Sequence, residues 1–349
     1  MRYPVFIKAN DVIGFVSPSF GCGIEPYKTA FGNAVNIFNK MGYRTDIGYN
    51  CYKTDGTGIS TDPESCGREF TEYYCSPGNR ALISCGGGEL MCEILEYVDF
   101  EKITGSEPKW FMGYSDNTNL TFLLTTICDT ASVYAPCAAA FGMEPWHKSI
   151  EDAFSIITGE KAKVSNYDKW ERESLKSPEN PLAPYNTTED FKIIVYMGNK
   201  RLEEGDNQKI YMEGRLLGGC LDCLSNLVGT KYDKVREFVE KYKNDGIIWF
   251  LESCDLNVMA IRRAMWQLEN SGWFKYTKGF IIGRPYCHGQ EIMGLNQYDA
   301  VIGVAGRYNV PVIMDTDIGH LAPMMPLVTG SVAEISAVSN TVTVNMKYI

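Results

Sequence analysis

The sequence predicts an α/β protein of two domains, the first built on a parallel sheet. Through the first 150 residues, apolar runs that end in turn residues alternate with segments of helical periodicity. The length of 349 residues exceeds the usual span of about 150 residues per domain. A polar, proline-bearing stretch, "KVSNYDKWERESLKSPENPLAPYNTTED", interrupts the pattern before it resumes. These features place an N-terminal domain at residues 1–160, a connector or substrate loop at 161–207, and a C-terminal domain at 208–349.

Each element has a local reason. "DVIGFVSPS" is a short apolar strand running into a turn, and "PYKTAFGNAVNIFNKMG" has helical periodicity with a glycine stop. Strand "YRTDIGY", helix "DPESCGREFTEYYCS", strand "RALISC", helix "ELMCEILEYV", strand "KWFMGY" and helix "NTNLTFLLTTICD" follow. Strands joined by helices pair in parallel through crossovers, and ligands of such sheets collect at the strands' carboxyl ends. Past the polar stretch, strand "KIYMEGRLLGG" runs into helix "CLDCLSNLV", and helix "DKVREFVEKYKN" precedes the strongly apolar strand "IIWFLE". Helix "NVMAIRRAMWQLENSG", strand "GFIIG", helix "QYDAVIGVAGRYN" and strand "VPVIMDTD" come next. The end, "AEISAVSNTVTVNMKYI", alternates with period two about Ser-Asn and reads as a β-hairpin.

Composition narrows the function. With 45% hydrophobic and 22% charged residues the chain can fill ordinary cores. A net charge of −10 argues against nucleic-acid partners and anionic membranes. No apolar stretch reaches the ~18 residues of a membrane span, and the start lacks a signal-peptide pattern, so the expectation is a cytoplasmic protein. The twelve cysteines are scattered through apparent core segments, and Cys220–Cys223 is a lone CxxC without a second pair at zinc spacing. Reduced thiols, and neither metal nor cofactor, are expected.

The chemistry-bearing candidates are few. Ser115 lies in "FMGYSDNTNL" at a strand–helix junction, where a serine ordinarily caps the helix. A serine hydrolase also needs a base, an acid to orient it and oxyanion donors. Of three histidines, His147 lies in a loop expected at the surface, while His288 and His320 follow strands. Glu252 ends the apolar run "IIWFLE", where a partly buried acid needs a partner and an exposed one reaches water. "SCGGGE" places Gly86, Gly87 and Gly88 at a strand end, free of Cβ atoms that would block a ligand. That turn lacks the Lys and Ser/Thr of a P-loop, and "GYSDN" departs from GxSxG at Asn117.

Taken in order, "IGFVSPS", "ISCGGGELMCEIL", "GYSDNTNL", "GRLLGGCLDCLSNLVGT", "FLES", "IIGRP" and "IGHLAPMMPLVTG" resemble the serine-type LD-carboxypeptidase family, including its microcin C immunity branch. The resemblance covers nearly the whole chain. It implies a Ser115–Glu252–His320 triad, with backbone N–H groups of Gly88 and Asp116 as oxyanion hole. It further implies an active site between the two domains and a homodimer. The substrate implied is a small peptide or a peptidyl-nucleotide. Classical members remove a terminal D-alanine from cytoplasmic muropeptides; the immunity branch cleaves an amide joining an acidic residue to a modified adenylate, using an aromatic loop at the nucleobase. The long segment with Trp170, isolated among charges and either an exposed contact residue or the one aromatic anchoring a packed linker, resembles that loop, although a second tryptophan is lacking. Gly87 and Glu89 complete the expected substrate contacts. Glu89 is either a pocket acid that selects an ammonium group or a helix N-terminal acid.

Overall fold

A computed structural model describes residues 1–203 and 209–349. The expected boundary between 207 and 208 lies outside the described residues. The chain forms two compact units. The first comprises Met1–Lys161, Glu173–Asn186 and Pro326–Val328; the second comprises Ala162–Arg172, Thr187–Met325 and Thr329–Ile349. The segment 161–207 is thus divided between the two.

In the first unit, strands Val12–Val16, Arg44–Ile47, Ala81–Ser84, Trp110–Gly113 and Ser132–Tyr134 pair in parallel. Leu327–Thr329 adds a sixth strand beside Ser132–Tyr134. Helix Tyr27–Lys40 buries Ala30, Phe31, Ala34 and Phe38, a stripe at helical spacing. Phe15 meets the rings of Phe31 and Phe38 at 5.2 and 5.9 Å, which seats that helix on the first strand. Helix Pro63–Cys75 starts with Pro63 in its first turn and Asp62 accepting from the Ser65 N–H at 2.8 Å, an N-cap followed by a residue whose missing N–H costs nothing there.

The second unit carries a nine-stranded mixed sheet. Four parallel strands, Lys209–Cys220, Ile247–Glu252, Thr277–Gly283 and Pro311–Thr316, form its centre. Antiparallel strands flank them on both sides, including the hairpin Val332–Val338/Thr341–Lys347 with Ser339 at φ +53°. Strand Ile247–Glu252 is buried at all six positions, which is why its sequence is continuously apolar rather than alternating. Helix Val258–Asn270 packs through Val258, Ile261, Ala264, Met265 and Leu268, and Asn257 caps it by accepting from the Ala260 N–H at 2.9 Å.

The expected helix at Met91–Tyr97 is of the 3₁₀ type. His147 lies in the loop that leads into helix Lys148–Thr158 and is its N-cap, its Nδ1 accepting from the Ser149 N–H at 3.1 Å.

Candidate active site

In the first unit the buried strand Trp110–Gly113 ends in an abrupt turn. Tyr114 is extended, Ser115 stands at φ +62°, and Ser115–Asn117 make a 3₁₀ turn before helix Thr118–Thr126. A positive φ at a residue with a Cβ stores strain, and such residues cluster at functional sites. Gly113 permits the turn: a Cβ there would lie 2.8 Å from Cβ of Asn117. The helix N-cap is Asn117, not Ser115, and no side chain caps it. The ordinary capping role of Ser115 is therefore replaced by a strained strand–turn–helix elbow, despite the departure from GxSxG.

The glycine turn is built against this elbow. A Cβ on Gly87 would sit 3.3 Å from both Cβ and Oγ of Ser115. Asn117 Nδ2 donates to the Gly86 carbonyl at 2.8 Å, and the Phe20 N–H donates to that of Gly87 at 2.9 Å. Among the described residues the Gly88 N–H donates to no protein acceptor. A Cβ on Gly88 would meet Oγ of Ser19 at 2.3 Å and the Gly58 carbonyl at 2.5 Å, so only glycine fits. Buried Asp116 binds the pieces together: its Oδ2 accepts from Ser19 Oγ at 2.6 Å and from the Met91 N–H at 2.9 Å. Glu89 is exposed, directly before the N-cap Leu90 of the 3₁₀ helix.

In the second unit Glu252 ends its strand 1% exposed, with Oε2 at 2.8 Å from Nδ1 of His320. Two glycines make room for this pair. A Cβ on Gly283 would lie 3.0 Å from Cβ of Glu252, and Gly319 stands at φ +102° against the carboxylate. Burial disfavours the imidazolium of His320, but the Glu252 carboxylate and the Cys254 side chain outweigh it and hold its pKa well above the ordinary value. The loop that follows Glu252 is fixed by Asp222, whose Oδ2 accepts from the Cys254 N–H at 3.1 Å and whose Oδ1 accepts from the Asp255 N–H at 2.8 Å. Sequence reading missed Ser19, Asp222, Gly319 and Cys254. Only "SPS" and "IGH", segments already singled out, hinted at the first and third.

Of the two readings of Trp170, the packed one holds: it is 5% exposed, in the short strand Lys169–Trp170. The guanidiniums of Arg172 and Arg284 lie 5.0 and 4.9 Å from its ring centroid, and His288 meets it edge-on at 5.4 Å. Arg284 is itself buried, ion-paired with Asp317 and donating to the Asp315 carbonyl at 2.8 Å. The tryptophan that looks isolated among charges is buried by residues distant in sequence. The twelve cysteines all stand outside disulfides, and no described helix is long and apolar enough to cross a membrane.

Residues 13–135 match the family model of the LD-carboxypeptidase N-terminal domain, and residues 213–335 that of the LD-carboxypeptidase C-terminal domain. The chain belongs to the LD-carboxypeptidase family. It is a serine-type peptidase, a hydrolase. Ser115 and the glycine turn fall in the first match, Glu252 and His320 in the second, and Trp170 in neither. This LD-carboxypeptidase family member is 24% identical over 347 residues, 97% of each chain, to the carboxypeptidase-named YocD protein of Bacillus subtilis (strain 168). Its fold is similar to that of the MccF-like protein of Bacillus anthracis strain Ames, with TM-score 0.81, 22% identity, and coverage of 99% of this chain and 100% of that one. The microcin C7 self immunity protein MccF, solved with aspartyl sulfamoyl adenosine, gives TM-score 0.78 at 21% identity over 99% of each chain. The muramoyltetrapeptide carboxypeptidase of Oxalobacter formigenes gives 0.66 at 20% identity over 97% of this chain and 99% of that one. At these identities the likenesses are of fold.

Proposed function

We propose that this peptidase hydrolyses a small amide with Ser115 as nucleophile, His320 as base and Glu252 as the acid that orients it. The observation that carries this reading is the contact of 2.8 Å between Nδ1 of His320 and Oε2 of buried Glu252. With the Nδ1 proton donated to the carboxylate, Nε2 keeps a lone pair for the serine proton, and the imidazolium formed is stabilised by the same carboxylate. Ser115 attacks the carbonyl carbon, and the oxygen becomes an oxyanion held by backbone N–H groups of Gly88 and Asp116. His320 then protonates the leaving amine, and water repeats the sequence on the acyl-enzyme. The unengaged Gly88 N–H and the elbow at Ser115 support these roles.

For the substrate we take an aminoacyl-nucleotide amide of the immunity type, supported by the fold likeness to MccF over 99% of both chains. A terminal D-alanyl amide is the second reading. The burial of Trp170 favours it, since an aromatic that is 5% exposed presents no open platform for a nucleobase. The same proposal takes the enzyme as a cytoplasmic homodimer, which cell fractionation and sedimentation test. The deciding experiment is mass-spectrometric hydrolysis of aspartyl sulfamoyl adenosine and of a tetrapeptide ending in D-alanine, with Ser115→Ala as control. Cleavage of the adenosine compound alone supports the first reading and cleavage of the tetrapeptide alone the second. Undiminished cleavage by Ser115→Ala overturns the nucleophile.

A further inference from the structure

Two arginines approach Trp170, and they differ in kind. Arg284 is buried and its charge is met by Asp317. Arg172 is exposed, and among the described residues it has no carboxylate partner. Its surroundings nevertheless fix it. Its carbon Cζ lies 5.0 Å from the centroid of the Trp170 ring, and one guanidinium nitrogen donates to Nδ1 of His288 at 3.3 Å. The nearby acids are otherwise engaged. Asp315 accepts from Gln297 Nε2 at 2.9 Å and Tyr298 Oη at 2.6 Å, and Asp317 accepts from the Tyr167 N–H at 2.7 Å as well as from Arg284. Glu189, the cross-strand partner of Trp170, accepts from Thr188 Oγ1 at 3.3 Å.

Position gives this cation its meaning. The Glu171 N–H donates to the Ala322 carbonyl at 2.7 Å, which ties the residue before Arg172 to the loop two residues beyond His320. His288 belongs to the loop after strand Thr277–Gly283, and the Tyr286 N–H of that loop donates to the carbonyl of Ser253, next to Glu252, at 3.2 Å. These loops all leave the carboxyl ends of the sheet's parallel strands, where ligands of such sheets bind. An exposed arginine normally loses side-chain freedom on binding, whereas one already laid on a tryptophan and hydrogen-bonded to a histidine has little left to lose.

We propose that Arg172 is a substrate-anchoring residue that recognises an anionic group of the substrate, either a terminal carboxylate or a deprotonated acyl sulfamate or phosphoramidate. The inference deepens the peptidase reading above and rests on it. The guanidinium supplies two parallel N–H donors to such a group, while His288 and Trp170 hold it in place. Lysine, a point charge on a flexible stem, recovers the charge but not the fork.

The test measures ligand dissociation constants on the full chain carrying Ser115→Ala, with and without Arg172→Gln or Arg172→Lys. The ligands are a tetrapeptide ending in D-alanine, its C-terminal amide, and aspartyl sulfamoyl adenosine. Arg172→Gln is expected to weaken at least one anionic ligand about 10- to 100-fold, to leave the amide within about twofold, and to be partly rescued by Arg172→Lys. The ligand that loses affinity identifies the anion: carboxylate for the tetrapeptide, acyl sulfamate for the adenosine compound. Equal losses on the amide and on the anions mean a structural role and overturn the proposal, as does no loss on either anion. Turnover of a ligand by the Ser115→Ala protein, seen by mass spectrometry of the same samples, strikes the nucleophile assignment and leaves the Arg172 comparison readable.

Discussion

A Cβ on Gly319 would lie 2.5 Å from Oε2 of Glu252, the oxygen that meets Nδ1 of His320 at 2.8 Å. The contact between His320 and Glu252 therefore depends on the absence of a side chain at Gly319 as well as at Gly283. Gly319 also stands at φ +102°, where a Cβ is strained whatever the space.

Gly319→Ala tests this seating. The clash and the backbone strain together should destabilise the protein by roughly 1–3 kcal/mol. The displaced carboxylate should lower kcat by about 100-fold or more, with KM little altered. Thermal melting and steady-state kinetics on the same preparation separate the two effects. An alanine variant with wild-type kcat would show that the close fit around Glu252 has no bearing on the chemistry.

The charge on Glu252 bears on where His320, the proposed base, titrates. Burial alone would depress His320, but the carboxylate and Cys254 raise it above its ordinary 6.5. The neutral base fraction then grows only as pH rises through that raised value, so the acid limb of kcat/KM should lie above pH 6.5. By the same linkage, the stability contributed by the pair is complete below the ordinary histidine pKa and lost as pH rises through the raised one. Glu252→Gln removes the carboxylate and keeps the burial. It should move the acid limb to lower pH and reduce kcat by about 10²- to 10⁴-fold. A pH–rate profile with an unmoved acid limb would separate His320 from the reaction.

Much of the scaffold was legible because its strands state themselves locally. "IIWFLE" is apolar throughout because both faces of Ile247–Glu252 are covered, and Ser339 at φ +53° turns the terminal hairpin at Ser-Asn. Other features depend on partners far along the chain. Leu327–Thr329 is three residues long and lies in the sheet order beside Ser132–Tyr134, a pairing that no local periodicity reveals. Trp170 stands isolated in the sequence because its neighbours are charged; Arg284 and His288, which lie against its ring, come from distant segments. The elbow at Ser115 escaped the GxSxG pattern because Asn117 replaces the last glycine, while Gly113 supplies the close approach to Asn117. Resemblance pointed to Ser115, and the positive φ supplies a physical reason for the turn.

Glu69 lies outside the proposed triad yet braces the loop that carries Ser17. It is fully buried on helix Pro63–Cys75, where Oε2 accepts from the Ser17 N–H at 2.9 Å and Oε1 from the Asn50 N–H at 2.7 Å. Ser17 leads to Ser19, which binds Asp116 beside the elbow. Burial pushes the Glu69 pKa from 4.5 up to about 7, against the pull of those two N–H groups and of Lys53. The folded state therefore binds more protons than the unfolded one between these values, and stability should fall as pH rises from 4.5 to about 7. This contribution is on the order of 3 kcal/mol and is complete at the acid end of the window. Glu69→Gln cannot titrate, so the variant should show a flatter dependence of unfolding free energy between about pH 5 and about pH 8. It should also be less stable at the acid end by about 1–3 kcal/mol, because its amide offers one acceptor oxygen to two N–H donors. Urea unfolding of both proteins at the two pH values checks the slope. Equal slopes would assign the pH dependence to other groups and leave Glu69 a hydrogen-bonding strut alone.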